Sequence, residues 1–158
     1  MERRGIIVGG LGNPLMTDEG IGIHVISELA ARSGCSPDVD FVELGSSVMN
    51  VVHAIAGRQK AILIDCALMD EPAGTIRRFH PDEVRSIKSL KHFSLHEGDL
   101  MGALELSRRL GECPRQVVIF GIQPESMAFG EGLSSPLRER LATYIEAIAA
   151  ELEKSLAH

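Results

Sequence analysis

Aromatic residues are scarce in this 158-residue chain, at 4% of the sequence, with one tyrosine and no tryptophan. Aliphatic side chains must therefore fill the core, as they do in sheets that are covered by helices on both faces. Cysteine is also rare, and Cys35, Cys66 and Cys113 are far apart and odd in number. They indicate neither a disulfide framework nor a CxxC zinc or redox site, so we expect them to pack as small hydrophobic side chains.

Positive charge and long apolar runs are lacking as well. The formal net charge of -6 argues against a nucleic-acid partner. No apolar run approaches the roughly 18 to 20 residues that cross a membrane. The stretch GIIVGGLGN is too short and too broken by glycine for a secretory signal. We therefore expect a cytoplasmic protein without a membrane partner, and the length predicts a single domain over residues 1–158.

Short apolar runs alternate with longer amphipathic stretches along the chain, a pattern typical of α/β proteins. The apolar runs predict strands over residues 5–10, 39–44, 60–68, 74–81 and 115–124, with 74–81 as a short edge strand. Helical periodicity predicts helices over residues 21–33, 47–57, 95–111 and 135–157. The expected fold is a single-domain α/β fold, a three-layer αβα sandwich around a mostly parallel, twisted sheet of about five strands.

The glycine-rich stretch GGLGNPLMTDEGIG (9–22) lies between the first predicted strand and the first predicted helix. A dinucleotide fingerprint needs a third glycine where this chain has Leu15, and a P-loop needs a lysine that is absent here. Asp18 and Glu19 would repel a phosphate group. The loop is therefore predicted to suit a cation rather than a nucleotide.

The same segment can begin a helix, with Thr17 or Asp18 as the N-cap and Glu19 at the positive end of the helix dipole. A cap explains only one of the two adjacent acids. A glutamate at a helix N-terminus also stays ionised easily, which is the state that a metal ligand needs.

Two further residues are candidates for the same site. Asp65 ends the predicted strand AILID, at the sheet edge where α/β proteins bind ligands. Ser94 and Glu97 have the spacing of a capping box, which makes His96 the second residue of the predicted helix. An imidazole there stays neutral and can donate a lone pair. With Glu19, these residues form a candidate three-ligand site for a first-row divalent ion.

Four stretches, GLGNPLMTDEGIG, LIDC, SLHEGDL and GIQPES, occur in the order found in the hydrogenase maturation proteases, and the chain resembles this family from Ile6 to its last helix. Members are endopeptidases that trim the large-subunit precursor of nickel-iron hydrogenases. The resemblance implies that Glu19, Asp65 and His96 bind nickel, which the precursor presents, and that they carry the catalysis. It also implies supporting residues at Gly12, Asn13, Asp18, Glu43 and Gly45.

The function that the resemblance implies is removal of the C-terminal extension from the nickel-loaded precursor, by a protease that acts as a monomer. Nickel would polarise the scissile carbonyl or activate a water. Alternatively, nickel would only position the substrate while a carboxylate, Asp18 included, serves as general base. A chaperone that binds the nickel-loaded subunit without cutting it is the second class of function. A nucleotide-binding domain, which NAD or ATP would stabilise, is the third.

Overall fold

A computed structural model of the chain describes residues 5–33, 37–83, 94–95 and 99–157. The strands in these ranges are β1 (Ile6–Leu11), β2 (Val39–Gly45), β3 (Lys60–Leu68), β4 (Ile76–Phe79), β5 (Ser94–Leu95) and β6 (Gln116–Ile122). The helices are α1 (Ile21–Ser33), α2 (Val48–Ile55), α3 (Asp99–Arg109), α4 (Ser135–Glu139) and α5 (Leu141–Leu156), and a short 3-10 helix (Thr17–Gly20) leads into α1. None of the described helices is long and apolar enough to cross a membrane.

Five strands form one sheet in the order β2-β1-β3-β6-β4. The first four of these pair in parallel, and β4 pairs antiparallel with β6 at the edge. β5 pairs antiparallel with the last residues of β3. The predicted α/β fold with a mostly parallel sheet of about five strands is confirmed, and so is the predicted edge strand within residues 74–81.

The core lies in two layers, one on each face of the sheet. Along β3, Ile62 and Ile64 pack with α1 and α5, whereas Ala61 and Leu63 pack with α2 and α3. All residues of β3 except Leu68 are buried, which explains the nearly continuous apolar sequence of this central strand. The predicted three-layer αβα arrangement is therefore confirmed.

The single tyrosine belongs to this core. Tyr144 in α5 is fully buried, and its hydroxyl donates a 2.6 Å hydrogen bond to the carbonyl oxygen of Gly74. Burial raises the pKa of Tyr144 to about 12, so the phenol stays neutral. Cys66 is buried as expected, Cys113 is partly buried, and Cys35 lies outside the described residues.

The helix predicted over residues 95–111 begins later than expected. Leu95 is paired with Ala67 of β3 as part of β5, and the described helix runs from Asp99 to Arg109. Ser94 thus lies in a strand, and its predicted role as the cap of a helix beginning at Leu95 is wrong. The unpaired backbone groups at the end of β3 need hydrogen-bond partners, and this tertiary requirement overrides the local capping signal.

Two other helix predictions need smaller changes. The helix predicted over residues 135–157 is interrupted at Arg140, whose ψ of 6° departs from helical geometry and separates α4 from α5. The helix predicted over residues 47–57 is confirmed as α2, with the narrower bounds Val48–Ile55. Ser47 is its N-cap, and Gly57 follows its end with a φ of +74°.

Two glycines allow the start of α1 to lie directly on the sheet. A Cβ atom added to Gly10 would lie 2.2 Å from the carbonyl oxygen of Gly22. A Cβ atom added to Gly22 would lie 2.5 Å from the carbonyl oxygens of Leu11 and Ile64. Because no side chain separates these backbones, the 3-10 helix before α1 is held against the end of β3.

A buried ionic network ties α5 to the sheet at the opposite end of the strands. Glu151 is 4% exposed, and its carboxylate accepts a 2.7 Å hydrogen bond from Lys60 Nζ and a 2.6 Å hydrogen bond from Arg78 Nε. The hydrogen bond from Arg78 lowers the pKa of Glu151 to about 2, although burial opposes this shift. Glu151 is therefore charged at neutral pH and paired with cations from β3 and β4.

We expect the Gly10→Ala variant to lose stability, because the new methyl group overlaps the backbone of Gly22. Overpacking of this kind costs about 1–3 kcal/mol or more in the free energy of unfolding. The control is Gly102→Ala in α3, where an added Cβ meets no atom within 4 Å. It should gain about 0.5–1 kcal/mol from helix propensity. Urea unfolding of both variants tests the helix-sheet contact, and equal stability of the two would contradict it.

Replacement of Glu151 by Gln should lower the free energy of unfolding by about 3–5 kcal/mol, because it leaves Lys60 buried without its counter-charge. The folded-state pKa of Glu151 lies below its ordinary value of 4.5, at about 2. Its contribution is therefore complete above pH 4.5 and is lost as the pH falls toward 2.

Denaturant unfolding across this pH range measures that contribution, and the difference between the parent and the variant should shrink toward acid pH. Glu28→Gln is the control, since Glu28 and Arg32 form an exposed pair with a 3.6 Å separation. Loss of that pair should cost less than about 1 kcal/mol. A Glu151→Gln variant as stable as the Glu28→Gln variant would show that the network contributes little.

Candidate active site

Asp65 lies near the carboxyl end of β3, in register with Gly121 of β6. It is fully buried, and its Oδ1 accepts a 2.8 Å hydrogen bond from the backbone N–H of Cys66. Asp65 also lines a small, partly open cleft at the ends of β1, β2 and β3, beside α2 and α3. The other residues that line this cleft are Leu11, Gly45, Ser46, Ser47, Val48, Val51 and Leu100. The predicted position of Asp65 near the carboxyl end of β3 is confirmed, and its role in ligand binding stays a prediction.

Glu19 lies in the 3-10 helix and is 9% exposed. Its backbone N–H donates a 3.2 Å hydrogen bond to the carbonyl oxygen of Met16, and its own carbonyl oxygen packs against Gly12. A Cβ atom added to Gly12 would lie 1.9 Å from that oxygen, and the φ of Gly12 is +115°. Only glycine fits at this position, so Gly12 sets the place of Glu19 through the backbone.

The thiol of Cys66 lies within the electrostatic reach of Asp65, Asp18 and Glu19. Burial raises the pKa of Cys66 far above its ordinary value, and the nearby charges of Asp65, Asp18 and Glu19 raise it further. The thiol therefore stays protonated and is unsuited to act as a nucleophile. The 3-10 helix that carries Asp18 and Glu19 contacts β3, the strand that carries Asp65, although the two elements are distant in sequence.

The third predicted ligand, His96, lies outside the described residues. Within residues 5–33, 37–83, 94–95 and 99–157, no group of three His, Cys, Asp or Glu side chains is placed to hold a metal ion. Of the predicted set of three, the structure describes Glu19 and Asp65, which lie on two elements that contact each other. The nickel-binding role of the set stays a prediction.

The structure gives Asp18 a different role from the predicted helix cap. The 3-10 helix begins after Met16 without a side-chain cap, so the prediction that Thr17 or Asp18 serves as its N-cap is wrong. Asp18 is fully buried, and its carboxylate accepts hydrogen bonds from the loop that follows β6. The donors are Glu125 N at 2.9 Å, Ser126 N at 3.1 Å, Ser134 N at 2.8 Å and Ser134 Oγ at 2.6 Å.

These hydrogen bonds decide the charge of Asp18. Burial alone would raise its pKa, but the hydrogen bonds from Ser134, Ser126 and Glu125 outweigh burial and hold the pKa below its ordinary value of 3.8. A carboxylate with a lowered pKa and four donors around it is a poor general base. The hypothesis that Asp18 takes a proton in catalysis is therefore not favoured.

The other predicted supporting residues have separate places. Asn13 accepts a 2.9 Å hydrogen bond from Leu15 N through its side chain and closes the turn after β1. Gly45, with a φ of +65°, ends β2, and its carbonyl oxygen accepts a 2.9 Å hydrogen bond from Gly12 N. Glu43 is exposed on β2 opposite Gly10, and it does not line the cleft at Asp65.

The loop that follows β6 (123–134) is the part of the site that sequence reasoning underestimated. The GIQPES segment (121–126) comprises the last two residues of β6 and the first four residues of this loop. Gln123 at its start accepts a 2.6 Å hydrogen bond from Met69 N through its side chain. The sequence gives little indication that this loop binds Asp18, because Asp18 and Ser134 are 116 positions apart.

We expect Asp18→Asn to loosen this loop, because an amide has one acceptor oxygen and turns N–H groups toward backbone donors. The free energy of unfolding should fall by about 2–4 kcal/mol. Native-state hydrogen exchange should speed up at the amides of Glu125, Ser126 and Ser134. The exposed Asp82→Asn change serves as the control, and unfolding and exchange that match this control would refute the role assigned to Asp18.

Comparison with known proteins connects this geometry with a family. Residues 23–151 match the family model described as hydrogenase maturation protease. The hydrogenase expression/formation protein HupD of Thiocapsa roseopersicina is 30% identical over 142 residues, which cover 89% of this chain and 64% of that protein. The chain thus spans slightly less than two thirds of that relative.

Two further matches cover nearly the whole of both proteins. The hydrogenase 2 maturation protease of Escherichia coli K12 is 29% identical, over 95% of this chain and 92% of that one. The solved structure of the hydrogenase maturating endopeptidase HybD from E. coli has a TM-score of 0.83 at 26% identity, and covers 97% of this chain and 94% of that chain. The family match includes Asp65 and the loop that binds Asp18. The chain therefore belongs to the hydrogenase maturation protease family.

Proposed function

We propose that this protein is an endopeptidase that removes the C-terminal extension from the large-subunit precursor of a nickel-iron hydrogenase. The observation that carries the proposal is the contact of the 3-10 helix that bears Glu19 with β3, the strand that bears Asp65, near the carboxyl edge of the sheet, where α/β proteins bind their ligands. Family membership and the maturation-protease names of the relatives support it. We place the reaction in the cytoplasm, where a newly made precursor is found, and assign it to a monomer.

Nickel is treated in this proposal as part of the substrate. Carboxylates and imidazole suit first-row divalent ions, so Glu19, Asp65 and His96 would complete the coordination of an ion that the precursor carries. Bound nickel would supply Lewis-acid polarisation of the scissile carbonyl. Three such ligands alone discriminate weakly between divalent metal ions, because coordination geometry and metal availability determine which ion is bound.

Peptide hydrolysis also needs a group that takes a proton from the attacking water, and a proton for the departing amine. The four hydrogen bonds to Asp18 exclude it from this task. Asp65 lines the cleft, and Glu19 lies on the 3-10 helix that contacts the same strand, so one of them is the proposed proton acceptor. The protonated thiol of Cys66 does not compete with water as a nucleophile.

The test is the intact mass of a large-subunit precursor from the same organism, loaded with nickel or free of it, before and after incubation with this protein. Loss of a C-terminal fragment from the loaded form alone is the expected result. Asp65→Asn and Glu19→Gln should lower the cleavage rate by ~100-fold or more, and His96→Ala should do the same. Asp38→Asn, an exposed acid at the opposite end of the sheet, should leave the rate unchanged.

Full activity of Asp65→Asn would overturn the proposal, provided that its melting temperature shows a folded protein. Binding of the loaded precursor without any change of mass would favour the chaperone hypothesis. Cleavage of the nickel-free precursor at the same rate would show that the protein does not recognise nickel in its substrate, and it would still support the peptidase proposal.

A further inference from the structure

Three exposed apolar side chains lie on two loops at the carboxyl end of the sheet. Phe129 is 83% exposed, Leu15 is 49% exposed and Met127 is 36% exposed. The backbones of the two loops are joined, since Gly130 N donates a 2.8 Å hydrogen bond to Leu15 O and Gly130 O accepts a 2.9 Å hydrogen bond from Thr17 N. We call Leu15, Met127 and Phe129 together the apolar rim.

The loops that carry the apolar rim are held by many hydrogen bonds. Asp18 binds backbone N–H groups on both sides of the loop tip, at Ser126 and Ser134. Thr17 Oγ1 donates to the carbonyl oxygens of Ser126 at 2.7 Å and Ala128 at 3.0 Å. Phe129 is therefore exposed on a loop that these hydrogen bonds hold in place.

The apolar rim borders the two proposed catalytic carboxylates. Met127 Sδ lies 3.8 Å from the Sγ of Cys66, the residue that follows Asp65. Leu15 precedes the 3-10 helix that carries Glu19 by two residues. A molecule that covers the rim thus lies against the site, and a permanent partner there would obstruct the substrate.

We propose that the apolar rim holds the substrate polypeptide beside the bond to be cut, by contact with an apolar side chain of the precursor. This inference rests on the proposed function and names specificity-determining residues for it. Contiguous exposed apolar surface marks interaction sites in soluble proteins. Apolar contacts hold a peptide without placing further charge beside the carboxylates of Glu19 and Asp65. Leu110, which is 54% exposed after the end of α3, lies at the opposite end of the sheet and provides a matched control.

The experiment compares Phe129→Ser, Leu15→Ser and the control Leu110→Ser with the parent protein. One measurement is the dissociation constant for the purified nickel-loaded precursor, and the other is KM and kcat for its cleavage. We expect Phe129→Ser to raise the dissociation constant and KM by ~10-fold, with kcat changed by less than about twofold. Leu15→Ser should act in the same direction, Phe129→Leu should restore most of the affinity, and Leu110→Ser should change neither value.

The two readouts separate the two proposals. If the parent binds the precursor but does not cut it, the peptidase proposal fails, and weaker binding by Phe129→Ser still supports the docking role of the rim. If Phe129→Ser and Leu15→Ser bind like Leu110→Ser, the docking proposal is overturned whether or not cleavage occurs. It is also overturned if the parent does not bind the precursor, or if the parent is a dimer that Phe129→Ser converts to a monomer.

Discussion

The carboxylate of Asp18 is the interaction on which the arrangement of the site depends. It is fully buried and collects four hydrogen bonds from the loop that follows β6, so it joins two loops that come from opposite ends of the sequence. A buried charge is stable only when it is paired or fully hydrogen-bonded. The loop must therefore keep its shape for Asp18 to stay in place, and the 3-10 helix with Glu19 is positioned by the same bonds.

Adjacent acids in this protein have different tasks because their surroundings differ. Asp18 accepts hydrogen bonds from three backbone N–H groups and the hydroxyl of Ser134, and its charge stabilises the fold. Glu19, one residue later, is placed with Asp65 at the sheet edge, and the close contact of Gly12 with its carbonyl oxygen fixes its backbone. The hydrogen-bond donors around each carboxylate thus decide whether it stabilises the fold, as Asp18 does, or is available for the proposed chemistry, as Glu19 is.

The sequence predicts the layers and the strands well, because hydrophobic period and burial are directly linked in β1, β3 and β6. It also predicts the edge at which Asp65 lies, since parallel strands bring their carboxyl ends together. It does not predict β5, because a two-residue strand carries no periodic signal. Nor does it predict the partners of Asp18, since local spacing indicates a helix cap and the real donors are more than 100 positions away.

The buried tyrosine has a practical consequence for optical spectroscopy. With no tryptophan in the chain, Tyr144 is the only strong ultraviolet fluorophore, and its hydroxyl is bonded to the carbonyl oxygen of Gly74 in the turn before β4. Tyrosine emission from this protein thus reports on one contact, between α5 and the turn that leads into the edge strand β4. A binding partner that contains tryptophan can be followed by selective excitation, without any background from this chain.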